Sequence, residues 1–262
     1  MDVVWIGAAA FLASGLTLYS GFGLGTLLLP VFAMFAPVEV AVASTAVVHG
    51  ANSAFKALWV GRHADRDLVV RFGVPAVLGA FAGAAALGLL VGARPLAMYE
   101  IAGRPAQVTA VKLAVAILIS LFAAFDLVPS LRALRFDRRS LAFGGALSGF
   151  FGGVSGHQGA LRSAFLGKVG VSAEAFVGTN AVLAFAVDSA RLSVYAASFL
   201  SGRGALTLGT GQAPAIVSGI AGALLGVAVS SRFLRKATME GVRTLTGGLL
   251  LAVAAALGAG VI

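Results

Sequence analysis

The sequence predicts an all-α polytopic membrane protein built as two inverted repeats, each a re-entrant or broken helical hairpin plus three transmembrane helices. Three observations predict it. Of 262 residues, 59% are hydrophobic and 11% charged, about half the charged fraction of a soluble domain, and mean hydropathy is +0.99. The apolar residues fall into recurrent runs of membrane-crossing or half-crossing length. The cations gather in a few linkers between those runs, as topology signals do. The 35 glycines suit close packing of transmembrane helices.

In chain order, apolar segments occupy 3–19, 22–35, 38–60, 68–91, 107–126, 141–151, 157–169, 173–199, 211–231 and 242–261. A crossing needs about 20 residues, so 3–19, 22–35, 141–151 and 157–169 are short. They come in pairs interrupted by glycine, at Gly21–Gly25 and in the stretch GGVSGHQGALRS from Gly152 to Ser163. The linkers 62–71, 132–139 and 232–243 are the most basic and are expected in the cytoplasm, with 93–106 and 200–210 outside. Between the basic linker at 132–139 and Arg203 the chain must cross an odd number of times. If 173–199 crosses once, 141–169 must be a hairpin that leaves and returns on one side. The same count makes 3–35 a hairpin, or else a segment crossing alone at 3–19, and places both termini outside. The expected organisation is a first repeat over 1–130, a basic cytoplasmic linker at 131–139 and a second repeat over 140–262. The N-terminus has Asp2 as its only charge and no basic leader region, so the first segment is expected to belong to the mature fold.

Odd-numbered halves imply inversion, and the residues carry a trace of the repeat. A shift of 135 aligns Glu39 with Glu174, Ser44 with Thr179, Thr45 with Asn180, Ser53 with Asp188 and Lys56 with Arg191. A shift of 134 aligns Gly15 with Gly149 and Gly25 with Gly159.

Two helices carry polar stripes. Asn180, Ala184, Asp188, Arg191 and Tyr195 share one face of 173–199, and Thr45, His49, Ser53 and Lys56, with Asn52 beside them, share one face of 38–60. An ionised group in hydrocarbon costs about 2.5–3.5 kcal/mol on insertion scales. Asp188 and Arg191, three apart, either neutralise each other as a structural pair or line a water-filled route. Under the inverted topology Lys56 sits toward the cytoplasmic mouth and Arg191 toward the outer one, unless Lys56 merely snorkels. His49 reads as a polar spacer or a coupling group, and Asn52 and Tyr195 join the expected gating set.

Broken backbone survives at membrane depth only where protein or a water cavity satisfies it. Half-helices starting near Thr26 and Gln158 aim free N–H groups and positive dipole ends at the midplane, a geometry that favours an anion. The expected anion ligands are therefore Gly23, Gly25, His157, Gln158 and Gly159, with Ser44, Thr45, Thr179 and Asn180 on the walls. Arg162 adds a fork of donors matched to oxyanions or carboxylates, unless it pairs with Asp188 alone. His157 either carries a coupling proton or satisfies hydrogen bonds at the hairpin tip. Pro30 is expected to kink or end packing after the first break.

Several classes are excluded or weakened. With no cysteine there is no disulfide, thiolate metal site or cysteine nucleophile. Three scattered histidines without clustered carboxylates predict no metal, and no cofactor is expected. The net charge of +9 would suggest nucleic acid in a soluble protein; here the partners expected are a small anion, the bilayer and, in a homodimer, a second copy. Gly153-Val154-Ser155-Gly156 matches the GxSG nucleophile pattern of rhomboid proteases, but their base comes from a later helix. The only histidine after Ser155 is His157, in the same turn.

The residues that resemble a known family are the glycine-rich Gly21–Pro30, the small-residue helix from Val38, SGHQGALRSAFL from Ser155 to Leu166, Glu174 to Thr179, Asp188-Ser189-Ala190-Arg191 and Tyr195. Together they resemble the sulfite exporter TauE/SafE family of membrane transporters, over essentially the whole chain. Ala164 stands where the family often has proline, and Arg162 is a further departure. The resemblance implies export or uptake of small sulfur-containing anions, such as sulfite or organosulfonates, across a bacterial inner membrane. The residues alone point to an ion-coupled carrier of a small anion, with a passive anion channel as the alternative; they do not point to sulfur.

Overall fold

The computed structural model describes residues 2–20, 24–101, 103–134, 136–167, 169–201, 210–233 and 239–262. Its order is α1 (Asp2–Ser20), α2 (Leu24–Ala33), α3 (Val38–Val60), α4 (Arg66–Leu90), β1 (Ala97–Ile101), β2 (Arg104–Val108), α5 (Ala110–Leu127), the single turn α6 (Pro129–Arg132), α7 (Leu141–Ser155), α8 (Gly159–Leu166), α9 (Ala173–Leu200), α10 (Ala213–Phe233) and α11 (Met239–Gly258). Each apolar run becomes one helix. By length and composition, α4 and α9, with 25 and 28 residues, are able to cross a bilayer.

Polar residues at the linker edges set several helix starts. Asp65 accepts from the Leu68 N–H at 3.0 Å, Thr109 from that of Lys112 at 3.2 Å and Ser172 from that of Ala175 at 3.1 Å, each satisfying an orphan first-turn donor. The glycines of the second break behave differently from the sequence expectation. α7 runs through Gly152 and Gly153 to Ser155, and Gly156 ends it with φ of 82°, a left-handed conformation natural to glycine. The interruption is therefore only Gly156 to Gln158. Helical glycine is tolerated upstream because Gly145, Gly149 and Gly153 lie directly on the backbone carbonyls of Phe72, Ala76 and Ala80 in α4. Any Cβ there would overlap the neighbouring chain.

That contact makes α4 and α7 run side by side in the same direction. α1 and α10 do the same, with Gly222 on the carbonyl of Gly7 and Gly226 on that of Phe11. α5 packs on α11, and α3 on α9. Residue order shows the last pair to be antiparallel, since Gly50 meets Asp188 and Leu192 while Val60 meets Gly178. The two polar stripes thus face each other inside the bundle.

The outside of the helices is apolar: Leu58 is 88% exposed and Leu89 84%, with Leu12, Val70, Leu78, Phe143 and Leu225 also exposed. Such a rim is suited to lipid.

One element departs from the all-α expectation. Tyr99 and Ile101 in β1 and Val108 in β2 favour strand, and the strands pair in antiparallel register, Ala97 opposite Val108, with Gly103 at φ 75° just before β2. The expected linker 93–106 is therefore largely a β-hairpin, and Gln107 and Val108 belong to it, not to α5. It clasps the chain after α11: Tyr99 Oη donates to the Ala259 carbonyl at 2.7 Å, and the Gln107 N–H to that of Gly260 at 3.1 Å.

Replacing Gly149 by leucine should separate α4 from α7. Overpacking of this kind costs about 1–3 kcal/mol or more. The expected result is a lower midpoint in a thermal melt of the detergent-solubilised protein; an unchanged midpoint would remove the close approach from the account of the fold.

Candidate functional site

The facing stripes meet at one buried carboxylate. Asp188 on α9 holds His49 on α3, Oδ2 to Nδ1, at 2.6 Å. Its other oxygen accepts from Arg191 Nε at 3.1 Å, and Arg191 Nη2 lies 2.8 Å from the same oxygen. The two contacts use both carboxylate oxygens. Ser53 Oγ stands 3.3 Å from the same His49 nitrogen, so the aligned repeat partners Ser53 and Asp188 meet at one imidazole. Beside them Ser14 Oγ donates to Asn52 Oδ1 at 3.1 Å, which ties α1 to α3.

The hairpin tips converge on this cluster. Gly156 lies so close to Arg191 that any Cβ would press on Nη1, and Gly25, in the first turn of α2, faces the Gly156 carbonyl, His49 and Thr45. Glycine is required at Gly156 twice over, by its φ and by the guanidinium beneath it. Tyr195 Oη donates to the Gly153 carbonyl at 2.6 Å, satisfying an acceptor at the end of α7 that has no helical partner.

Arg162 on α8 takes a different place. Its Nε donates to Asn180 Oδ1 at 2.6 Å and its Nη1 to Gln158 Oε1 at 3.3 Å. Its hydrogen-bond acceptors there are neutral, so the alternative in which Arg162 pairs with Asp188 is replaced by amide contacts. Thr179 accepts from the Asp65 N–H at 2.9 Å, which ties it to the start of α4. Ser148 Oγ donates to the Gln158 carbonyl at 3.0 Å, fixing the tip from α7. Lys56 lies half-buried two turns beyond His49 on α3.

Two expectations change. Arg191 does not stand at an outer mouth: it is fully buried under the tip, because α9 continues for nine residues beyond it, to Leu200. His157 does reach Ser155, Nδ1 to Oγ at 2.9 Å, because the left-handed Gly156 folds the chain back. The ring is stacked on Phe122 with centroids 5.5 Å apart, and both polar groups are buried. Gly23 lies outside the described residues.

Several buried polar atoms at the second tip and on α3 have no hydrogen-bond partner: Arg191 Nη1, Gln158 Nε2, His157 Nε2, Ser44 Oγ and Thr45 Oγ1. Buried polar groups are ordinarily paired, and the arginine and glutamine nitrogens can only donate. The charges agree. Among the described residues the buried ionised groups are Arg162, Arg191 and Asp188, two cations for one carboxylate. This arrangement can hold a small acceptor-rich anion against donors from α3, α9 and the second hairpin tip. No metal-binding cluster of histidine and carboxylates occurs among the described residues. The tip histidine, Asp188 and Arg191 were legible from spacing; the His49–Asp188 bond and the Phe122 stack join segments far apart in sequence and left no local signal.

No curated protein matches the chain. The family profile described as sulfite exporter TauE/SafE matches residues 6–257, which takes in α1, both hairpin tips, the two polar stripes and nearly all of α11. The chain therefore belongs to the sulfite exporter TauE/SafE family of membrane transporters.

Proposed function

We propose that the protein is a secondary carrier for a small anion, sulfite, an organosulfonate or a related carboxylate, bound at the midplane of a bacterial inner membrane between the two hairpin tips. The observation that carries this reading is the uncompensated positive charge of the buried centre: Arg162 and Arg191 share one carboxylate, Asp188. An unpaired buried charge is costly, and an anion lodged against Arg191, Gln158 and Ser44 or Thr45 offsets it. Arg162 acts through its grip on Gln158 and through its charge.

Support for two inverted halves comes from the exchange of packing partners. With α1 matched to α7, α2 to α8, α3 to α9, α4 to α10 and α5 to α11, the contact of α1 with α10 becomes that of α7 with α4. Likewise α3 with α10 becomes α9 with α4, while α3–α9 and α5–α11 map onto themselves. Such a plan suits alternating access around a fixed central site. Multi-pass insertion with both termini outside follows from the basic linkers, and coupling to an ion gradient from the carrier reading.

Purified protein heated with sulfite, methanesulfonate, sulfate or acetate tests the reading, because a ligand that binds only the native state raises its stability. At least one anion is expected to raise the midpoint, and sodium chloride at equal ionic strength is not. No shift with any of them would count against an anion site. In proteoliposomes a carrier shows trans-stimulated exchange of the same anion; flux without it indicates a channel.

A further inference from the structure

We propose that His49, not His157, is the proton-binding residue of the transport cycle, and that anion and proton bind the centre together. The inference rests on the anion site above and adds the identity of the coupled ion and its residue.

The two buried histidines have opposite surroundings. His157 meets Ser155 on one nitrogen and Phe122 on its face, with no carboxylate in hydrogen-bonding reach. His49 is bonded to Asp188, the sole buried carboxylate among the described residues. Because the carboxylate accepts, Nδ1 of His49 carries the hydrogen, and Nε2 is the basic nitrogen of the neutral ring. A proton added at Nε2 gives an imidazolium already paired with Asp188.

The charged groups facing His49 decide when that happens. From α9 come Asp188 and Arg191; from the second hairpin, His157 at the tip and Arg162 on α8, which is in electrostatic reach of Asp188 and Lys56; from α3 itself, Ser53 one turn on and Lys56 two turns on. α2 has no titratable residue, α10 has only Arg232 near its far end, and α5 has only Lys112 and Asp126 at its two ends. Without an anion, a second cation beside Asp188 competes with Arg191 for one carboxylate. With an anion on Arg191, Asp188 is free to serve the imidazolium. Anion occupancy therefore favours the proton, and by reciprocity the proton favours the anion. A monoanion and one proton together add no net charge, so the loaded centre carries the same charge as the empty one. Asp188 also links the first-half helix α3 to the second-half helix α9, so the proton sits on the contact between the moving parts.

The test uses full-length protein and methanesulfonate, which holds no proton of its own near neutral pH, with sulfite as a second probe. Calorimetric binding in two buffers of different ionisation enthalpy reads proton uptake directly. Proton uptake that accompanies anion binding is expected, and with it an affinity that rises as pH falls. Binding without proton uptake overturns the proposal and leaves the anion site standing; absence of binding by either anion overturns both. The chain has three histidines, so imidazole nitrogen spectra of wild type with H63Q and H157Q for assignment show which ring changes state on anion addition. A change at His49 supports the proposal without a His49 variant, and a change at His157 alone overturns it. In proteoliposomes H49Q, which keeps a donor toward Asp188, is expected to exchange anion more weakly than wild type and to lose its response to an imposed pH gradient. A wild-type response in H49Q counts against it.

Discussion

Asp188→Asn is expected to destabilise the protein by about 3–5 kcal/mol, the usual cost of removing one partner of a buried ion pair. Asp188 is fully buried, and both of its oxygens are engaged, by His49 on one side and Arg191 on the other. An amide at this position has one acceptor where the carboxylate had two, and it has no charge. Arg162 and Arg191 then remain buried with no carboxylate among the described residues to offset them. In a melt of the detergent-solubilised protein the midpoint is expected to fall by roughly 10 °C. The decisive comparison is with the double variant D188N/R191Q. If the cost comes from stranded charge, removing the second charge restores part of the loss, and the double variant melts above D188N. Additive losses would mean that the pair matters for shape and not for charge.

Arg191→Gln carries the largest expected effect on function. Its Nη2 reaches Asp188 Oδ1 and its Nη1 is buried beneath Gly156 without a hydrogen-bond partner, so the guanidinium is held in place by Asp188 while presenting a donor to the centre. Glutamine keeps a donor but loses the charge and the fork that matches an oxyanion. Affinity for the anion that stabilises the wild type is expected to fall about a hundredfold or more, since truncating one member of a buried charge pair costs about 2–5 kcal/mol. Stability should fall less than in D188N, because Asp188 keeps His49 as a partner. Arg62→Gln, on the exposed linker between α3 and α4, controls for a general loss of positive charge and should bind as wild type. Retained affinity in R191Q would move the site away from the tip.

The two variants separate roles that the sequence left together. Arg162 and Arg191 are both cations on apolar segments, and composition offers no reason to rank them. The bundle distinguishes them, since Arg162 donates to the amides of Asn180 and Gln158 while Arg191 is paired with Asp188 and keeps Nη1 without a partner. His49 shows the same limit. On its own helix it is a polar residue four after Thr45 and four before Ser53, indistinguishable from a spacer. Its partner Asp188 is 139 residues away, and no local pattern encodes that distance.

What the sequence determined by itself was the set of helices and the polarity of their faces. Apolar runs, capping residues and glycine interruptions are local in origin, so the runs at 38–60 and 173–199 became α3 and α9 nearly residue for residue. The three-residue spacing of Asp188 and Arg191 likewise allowed an ion pair, because a helix turn places them together. Tertiary structure decided which polar groups meet and which are left unpaired. Close glycine contacts bring α4 onto α7 and α1 onto α10, and that packing sets where the hairpin tips come to rest. Once Gly156 lies on Arg191 and Gly25 faces His49, water is excluded and two cations share one carboxylate. The charge imbalance that selects an anion is a property of burial, and burial exists only in the folded bundle.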